Sequence, residues 1–193
     1  YSKDLVGIGG RKIAIIGAGS HSAVVADIAK LIGWEKVNFF DNDIERYKGK
    51  ESFSGDIDDF INQKKEFNSA SVAIGDNQIR KGICNKLNSN NVNLTTLIHP
   101  TAVISPSAKI EEGNTIMANA VINANVYISS FCIINTASII EHDCKLGNYV
   151  HVSPGSTICG GVSVGSSSWI GANSTIRENL NIGSKVILGA GSV

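Results

Sequence analysis

The chain lacks several features that would have indicated its partners or its compartment. It has no net charge, because seventeen basic residues balance seventeen acidic ones, so no overall field attracts nucleic acid or an anionic membrane. It has no apolar run as long as a membrane-spanning helix and no charged leader followed by an apolar segment. None of its four cysteines forms a C-x-x-C pair. These absences favour a cytoplasmic protein with reduced thiols that neither binds nucleic acid nor inserts into a membrane. The first ten residues, YSKDLVGIGG, stay unassigned.

The second half of the chain repeats every six residues. A helix needs apolar residues at a spacing near 3.6 and a half-buried strand at a spacing of two, so neither explains this period alone. Gly, Asn and Ser between the aliphatic residues are typical of tight turns. Short strands joined by such turns predict a parallel β-helix. The aliphatic positions are Ile104, Ile110, Ile116, Ile122, Ile128, Ile134, Ile140, Leu146, Val152, Ile158, Val164, Ile170, Ile176, Ile182 and Leu188.

Three six-residue units are expected to form one triangular coil. Residues eighteen apart then stack on adjacent rungs at the strand spacing of about 4.8 Å. Two residues whose numbers differ by eighteen are therefore predicted to be in contact.

The first half alternates between strands and helices. The segment RKIAIIGAGSHSAVVADIAKLIG predicts a strand over Ile13–Ile16, a glycine turn and a helix over His21–Leu31. KVNFFDND predicts a second strand, and SASVAIGDNQIRKGICNKLNS a third over Val72–Ile74 with a helix that ends near Leu87. Alternating β and α elements predict a small Rossmann-like parallel sheet.

The junction between the halves lies near residue 98, since His99-Pro100 interrupts the preceding element and the six-residue register follows. We therefore divide the chain into an α/β domain, residues 11–98, and a β-helix domain, residues 99–193.

The glycine turn of the first domain is a candidate anion site. Gly17-Ala18-Gly19-Ser20-His21-Ser22 follows a strand and opens a helix, where backbone N–H groups can hold a phosphate. Ser22 stands where the dinucleotide fingerprint has glycine, so a tight turn without a ligand is the alternative. Asp41, at the end of the next strand, favours a nucleotide-bearing ligand because an acid there can accept hydrogen bonds from ribose or base.

The sequence Glu141-His142-Asp143 occupies one turn of the predicted β-helix. A histidine next to a carboxylate can take a proton from a nucleophile, and Gly160 lies eighteen positions further on, where a backbone N–H could face an oxyanion. A solvated polar turn is the alternative for all three residues. Metal binding is a second alternative, which a pair of histidines, His142 and His151, supports weakly without a third.

Together the glycine turn, FFDND, AIGDNQIRK, LIHPTAVISPSAKI and NTASIIEHDCKLGNYVHVSPG resemble the bacterial nucleotide-aminosugar N-acetyltransferases of the hexapeptide-repeat class. The resemblance covers residues 11–193. It implies a left-handed β-helix, a homotrimer with active sites at subunit interfaces, and acetyl-CoA as co-substrate without a metal. It also implies N-acetylation of a UDP- or dTDP-linked 4-amino-4,6-dideoxy sugar in glycan biosynthesis, by direct attack and without an acyl-enzyme.

The resemblance assigns roles by matching position. His142 is implied as general base, Asp143 as its carboxylate partner and Gly160 as the oxyanion donor, while Glu141 is left to the scaffold. The implied cofactor contacts are His151, Ala172 and Ala190. The implied substrate contacts are Gly19, Ser20, His21, Asp41, Asn42, Gly75 and Asn135.

The sequence departs from the family in three places, and two other functions stay open. Many relatives carry glutamate where this chain has Asp143, and some carry an acid where it has Asn42. Relatives continue past the repeats with a G-V-P-A-K-like segment, which we expect to complete the cofactor groove. The alternative functions are O-acetylation of a sialic acid and a non-enzymatic trimeric scaffold. Cys144 and Cys159 fall within the repeat and are interpreted as packing or turn residues, not as nucleophiles.

Overall fold

The computed structural model describes residues 10–193. The unassigned leading segment, up to residue 9, lies outside the described residues. The described chain forms a three-stranded parallel sheet with helices, followed by a parallel β-helix. The predicted fold class is confirmed.

The α/β domain has three parallel strands, in the spatial order Lys36–Phe40, Lys12–Ile16 and Ser69–Val72. The third strand begins at Ser69, three residues before the predicted start at Val72, because the small residues of SASV, which look like a turn, are all buried in the sheet. Two short helices and a 3₁₀ turn between the second and third strands were not predicted. The elements are β1 Lys12–Ile16, α1 Ser20–Leu31, β2 Lys36–Phe40, α2 Ile44–Tyr47, α3 Ile57–Gln63, the 3₁₀ turn Lys64–Glu66, β3 Ser69–Val72 and α4 Asn77–Ser89.

The β-helix consists of two-residue strands, one in each repeat. The repeat begins at Ile98, one unit before Ile104, because Leu97–Ile98 already pairs with Thr115–Ile116. The strands are β4 Leu97–Ile98, β5 Val103–Ile104, β6 Lys109–Ile110, β7 Thr115–Ile116, β8 Val121–Ile122, β9 Tyr127–Ile128, β10 Ile133–Ile134, β11 Ile139–Ile140, β12 Lys145–Leu146, β13 His151–Val152, β14 Thr157–Ile158, β15 Ser163–Val164, β16 Trp169–Ile170, β17 Thr175–Ile176, β18 Asn181–Ile182 and β19 Ile187–Leu188.

These strands form three parallel sheets that close a triangular prism. Sheet I contains β4, β7, β10, β13, β16 and β19; sheet II contains β5, β8, β11, β14 and β17; sheet III contains β6, β9, β12, β15 and β18. Each strand pairs with the strand eighteen residues away, such as Ile139 with Thr157. Turns that follow sheet I strands form the I–II edge, and turns that follow sheet II strands form the II–III edge.

The turn residues explain the recurrent Asn, Asp and Gly of the sequence. The last residue of these turns is left-handed, with φ of 58° at Asn119, 61° at Asn125 and 59° at Asp143, a conformation that Asn, Asp and Gly adopt more readily than other residues. The small residues before the strands are buried, and Ser156 and Ser174 donate their hydroxyls to carbonyls of the next rung at 2.7 and 2.8 Å.

The two domains share their hydrophobic cores. Leu97, Met117 and Ile133, on sheet I and its turn, pack with β1 and α1 in one cluster. Phe131 and Tyr149 pack with Cys84 and Leu87 of α4 in another. The α/β domain is therefore fixed against sheet I from β4 to β13, where Gly75 faces His151.

The two residues of β12 point to opposite faces of the sheet, and substitutions at them test this alternation of side chains. Leu146 is 1% exposed inside the prism and Lys145 points to solvent. We expect Leu146→Ala to lower the free energy of unfolding by about 2–5 kcal/mol, because it leaves a cavity between rungs. Lys145→Ala should change it by less than about 0.5 kcal/mol. Urea unfolding followed by circular dichroism measures both, and equal effects would contradict the assignment.

Candidate active site

His142 and Asp143 form a pair on the II–III edge. The Nδ1 atom of His142 lies 2.8 Å from Oδ2 of Asp143, and both side chains are more than half exposed. Since a carboxylate accepts, Nδ1 carries the proton and Nε2 is left with its lone pair. The shorter acid, present where many relatives have glutamate, therefore reaches the imidazole.

Asp143 is held from both sides. Its Oδ1 accepts a hydrogen bond from Nδ2 of Asn125 at 3.0 Å, one rung below. The hydrogen bond from His142, followed by that from Asn125, lowers the pKa of Asp143 below its usual value. The carboxylate is thus ionised at neutral pH, where it orients the ring and can stabilise an imidazolium.

Gly160 lies directly against the His142 ring, as the eighteen-residue rule predicts. A Cβ at this position would stand 2.6 Å from Cε1 and 2.7 Å from Nε2 of His142. Its φ is not positive, so the close approach alone requires glycine. The next residue, Gly161, donates its N–H to the His142 carbonyl at 2.9 Å. Among residues 10–193, no acceptor is found for the Gly160 N–H.

A second group of candidate residues lines a groove on the I–II edge. A cavity of about 420 Å³ contains Asn135, His151, Ala172 and Ala190. Trp169 and Ile187, on the outer face of sheet I, give the groove an apolar wall and are 39% and 74% exposed. The three predicted cofactor contacts and one predicted sugar contact therefore lie together.

His151 is the buried member of this groove. Its ring stacks on Trp169 with centroids 5.4 Å apart and planes 4° apart. Its Nδ1 faces the Gly75 carbonyl and its Nε2 faces Nδ2 of Asn135, each at 3.3 Å. Burial, followed by the charges of Arg80 and His21, lowers the pKa of His151 to about 4. The ring is therefore neutral at physiological pH.

The glycine turn borders a cavity of about 260 Å³. Gly19 and Ser20 line it. Gly17 has φ of 115°, and a Cβ there would meet the Ala73 carbonyl at 2.9 Å. Ser22, in place of a fingerprint glycine, donates its hydroxyl to Gly19. The cavity wall also contains residues that the sequence did not single out, namely Phe39, Lys50, Glu51 and Phe53.

The acidic end of β2 supports the glycine turn. Oδ2 of Asp41 accepts the Ala18 N–H at 2.9 Å, and Oδ1 accepts the Asp43 N–H at 3.0 Å. Oδ1 of Asn42 accepts a hydrogen bond from the Ile57 N–H at 3.3 Å. Asp41 thus holds the turn against the sheet.

His21 and Gly75 connect the glycine turn to the groove. Gly75 contacts His151 directly, and burial, followed by the charge of Arg80, lowers the pKa of His21. The buried Nε2 of His21 has no hydrogen-bond partner within the described residues. Such a buried polar atom is costly unless a ligand satisfies it.

Within one chain, the His142 pair and the groove are separated. Residues 142 and 160 belong to turns after sheet II strands, whereas residues 135, 172 and 190 belong to turns after sheet I strands. The two groups therefore occupy different edges of the prism. Glu141 makes no side-chain hydrogen bond in the part of the chain that the structure describes.

Two further findings concern metals and membranes. Across residues 10–193, no three His, Cys, Asp or Glu side chains are grouped as a metal site. In the same range, no helix has the length and apolarity to cross a membrane.

Burial raises the pKa of the Cys84 and Cys132 thiols to about 12, and such thiols are poor nucleophiles.

A known protein family and several solved structures are similar to this chain in sequence and fold. The family model described as the PglD N-terminal domain matches residues 12–87. The acetyltransferase domain of PglB from Neisseria gonorrhoeae, solved with acetyl coenzyme A, is 36% identical with a TM-score of 0.89, over 96% of this chain and 91% of that one. A histidine-to-asparagine mutant of perosamine N-acetyltransferase from Caulobacter crescentus, solved with CoA and GDP-perosamine, is 36% identical with a TM-score of 0.88, over 96% and 88%. The chain belongs to the nucleotide-aminosugar N-acetyltransferases.

Membership of this family confirms the resemblance predicted from the sequence. The UDP-N-acetylbacillosamine N-acetyltransferase of Bacillus subtilis is 33% identical over 112 residues, which are 56% of this chain and 52% of that relative. The chain thus spans about half the length of the curated relatives it matches. Relatives in this family carry both UDP and GDP in their names, so the expected restriction to UDP or dTDP is not confirmed.

The neutral state of His151 should be visible in stability. Its folded pKa of about 4 lies below the ordinary histidine pKa of 6.5 that it has in the unfolded chain, so the unfolded chain binds the proton first as the pH falls. This histidine therefore contributes stability above pH 6.5 that is lost between pH 6.5 and 4, on the order of 3 kcal/mol. His151→Gln should reduce the difference in unfolding free energy between pH 7 and pH 4.5. Ser153→Ala, which removes the Trp169 hydrogen bond but no titrating group, should leave that difference unchanged.

Proposed function

We propose that this chain transfers the acetyl group of acetyl-CoA to the 4-amino group of a nucleotide-linked 4-amino-4,6-dideoxy sugar. The observation that carries the proposal is the His142 ring, held by Asp143 with its Nε2 against Gly160. The names of the relatives support the substrate class, since they are N-acetyltransferases of UDP-N-acetylbacillosamine and perosamine. The PglB domain solved with acetyl coenzyme A supports the acetyl donor.

The chemistry is a direct acyl transfer. The sugar amine attacks the thioester carbonyl carbon while Nε2 of His142 takes a proton from the nitrogen, and Asp143 stabilises the imidazolium. The N–H of Gly160 donates to the oxyanion of the tetrahedral intermediate. The intermediate then breaks its C–S bond, and the CoA thiolate receives the proton from the imidazolium. No residue is acylated.

The groove on the I–II edge is assigned to acetyl-CoA. Its outer wall of Trp169 and Ile187 suits an apolar pantetheine arm, and Ala172 and Ala190 lie eighteen residues apart on adjacent rungs, so they leave a continuous channel. His151 and Asn135 close one end of the channel beside Gly75. The end of the cofactor that carries the acetyl group therefore points to the α/β domain.

The α/β domain is assigned to the nucleotide-sugar. The helix N-terminus at Gly19 and Ser20 is suited to the diphosphate, with Asp41 and Asn42 near the base. His21 and Gly75 lie between this turn and the groove, where the sugar would sit with Asn135. Both UDP and GDP sugars are candidates. Because acetyl-CoA is the donor, we place the reaction in the cytoplasm, within glycan biosynthesis.

A homotrimer would unite the two separated groups. Sheet II borders both the I–II and the II–III edges, and its outer residues are uncharged: Val103, Val121, Ile139, Thr157 and Thr175. Sheet III instead exposes Lys109 and Lys145. A cyclic head-to-tail contact along sheet II brings the His142 edge of one copy to the groove of the next. The active site is then shared between subunits.

Removal of the proposed base tests the chemistry. We expect His142→Ala to lower kcat for acetyl transfer by at least about 10²-fold, because the amine loses its proton acceptor. The matched control is His99→Ala, which removes a turn histidine outside the site. Thiol release from acetyl-CoA, measured with UDP- and GDP-linked 4-aminosugars and with free sialic acids, gives both rate and acceptor class.

Near-normal activity of His142→Ala would rule out this mechanism. Acetylation of free sialic acid alone would replace the proposed substrate class with an O-acetyl acceptor. Absence of binding to CoA and to every nucleotide sugar would leave a scaffold function.

Mixed trimers test the shared site. His142→Ala removes the base and Ala172→Trp fills the groove, so each variant alone should be inactive. If the site combines the edge of one copy with the groove of the next, every trimer that contains both variants has one intact site of three, so the isolated mixed trimers regain about one third of the parental sites. Co-expression with two affinity tags isolates the mixed species. Mixed trimers without activity would show that each chain carries a complete site.

A further inference from the structure

Arg80 is a buried cation that hydrogen-bonds no carboxylate among residues 10–193. It is 2% exposed, in α4 of the α/β domain. An arginine has five N–H donors, and all five find uncharged acceptors between 2.7 and 3.0 Å. Nε donates to the Phe131 carbonyl, Nη1 to the carbonyls of Ile74 and Gly75, and Nη2 to Oδ1 of Asn77 and the Tyr149 carbonyl.

These acceptors belong to both domains. Phe131 and Tyr149 are turn residues of the β-helix with φ of 63° and 62°, an unusual conformation for bulky side chains. Their rings stack with centroids 5.2 Å apart and pack against α4. Their carbonyls accept hydrogen bonds from Arg80. A charged guanidinium is thus built into the contact between the nucleotide-sugar domain and the β-helix.

The Gly75 carbonyl lies between Arg80 and His151 and contacts both side chains. It accepts from Nη1 of Arg80 at 3.0 Å and faces Nδ1 of His151 at 3.3 Å. A carbonyl can only accept, so Nδ1 of His151 carries the proton and Nε2 has the lone pair. Oδ1 of Asn135 accepts the Thr136 N–H at 2.8 Å, which turns the Asn135 amide nitrogen to Nε2. Both contacts therefore select the same tautomer.

The charges around His151 also keep it neutral. The titratable groups that face it are Arg80 from α4 and His21 from α1, and both disfavour a proton on the ring, although burial is the larger cause. From the β-helix, the facing residues Trp169 and Asn135 are uncharged. No carboxylate within the described residues pairs with the imidazole. His142, with its Asp143 partner, has the opposite surroundings.

We propose that Arg80 is a positioning residue that, through the Gly75 carbonyl, fixes His151 as the Nδ1–H tautomer. Nε2 is then a hydrogen-bond acceptor at the inner end of the groove, where it takes an amide N–H of the pantetheine arm in place of Asn135. This ligand assignment rests on the proposed function. The tautomer and its dependence on Arg80 rest on the geometry alone.

Nuclear magnetic resonance of the full chain tests the tautomer. The chain has four histidines, so ¹⁵N-histidine labelling with single substitutions assigns each ring. The parent should show His151 protonated at Nδ1 and not at Nε2 around pH 7. Arg80→Lys keeps the charge but not the five donors, so we expect a mixture of tautomers without a higher pKa of His151. Arg80→Met removes both the charge and the donors, so we expect the same mixture of tautomers together with a higher pKa of His151.

The matched control is Tyr149→Phe. It removes the hydroxyl contact with Asn85 in the same interface but keeps the Tyr149 carbonyl that Arg80 uses, so the His151 signals should not change. A folded Arg80→Lys or Arg80→Met chain with the parental tautomer would overturn the proposal. If Arg80→Met does not fold, Arg80→Lys decides.

Kinetics test the ligand assignment. Arg80→Lys should raise KM for acetyl-CoA by about tenfold, the loss of one good hydrogen bond, with a smaller change in kcat. An unchanged KM would overturn the pantetheine contact. Since the spectra need no turnover, a chain that shows the predicted tautomers but transfers no acetyl group would reject the proposed function and leave the role of Arg80 supported.

Discussion

The stacking of two-residue strands eighteen positions apart is the constraint on which the rest of this structure depends. A strand so short cannot hold a register by itself, so the register comes from one buried aliphatic residue in every unit and from turns whose last residue is left-handed. Residues eighteen apart in sequence are thereby forced into contact. The approach of His142 to Gly160 is a direct product of this rule, and so is the bond between Asn125 and Asp143. The geometry of the proposed catalytic pair is therefore set by the period of the β-helix.

The same rule defines how much the sequence could predict. The β-helix and the His142–Gly160 contact follow from the period, because each unit repeats the same local choice. The α/β domain follows less completely. Its third strand has small residues whose burial is decided by the helices around them, and its two short helices lack enough turns to show a period. The cavity residues Lys50 and Phe53 and the five contacts of Arg80 depend on three-dimensional packing, and an isolated arginine in AIGDNQIRK gives no signal of burial.

The division of the site between two edges was, by contrast, available in the residue numbers. Positions 172 and 190 differ by eighteen and share an edge with position 135, while positions 142 and 160, also eighteen apart, belong to another. A single copy cannot change this, since the rungs do not rotate relative to one another. A mechanism that uses both His142 and the groove therefore agrees with the proposed trimer, in which sheet II, uncharged and bordering both edges, is the contact face.

Two histidines in one protein are given opposite surroundings by one fold. His142 is exposed, touches a carboxylate and has a glycine against its ring. His151 is buried, stacked on Trp169 and placed near Arg80, so a proton is excluded and the ring acts only through its lone pair. The buried guanidinium would be costly by itself, but five neutral acceptors satisfy it, and left-handed turns at Phe131 and Tyr149 supply two of them. The contact between the α/β domain and the β-helix is thus also the contact through which Arg80 is proposed to fix the tautomer of His151.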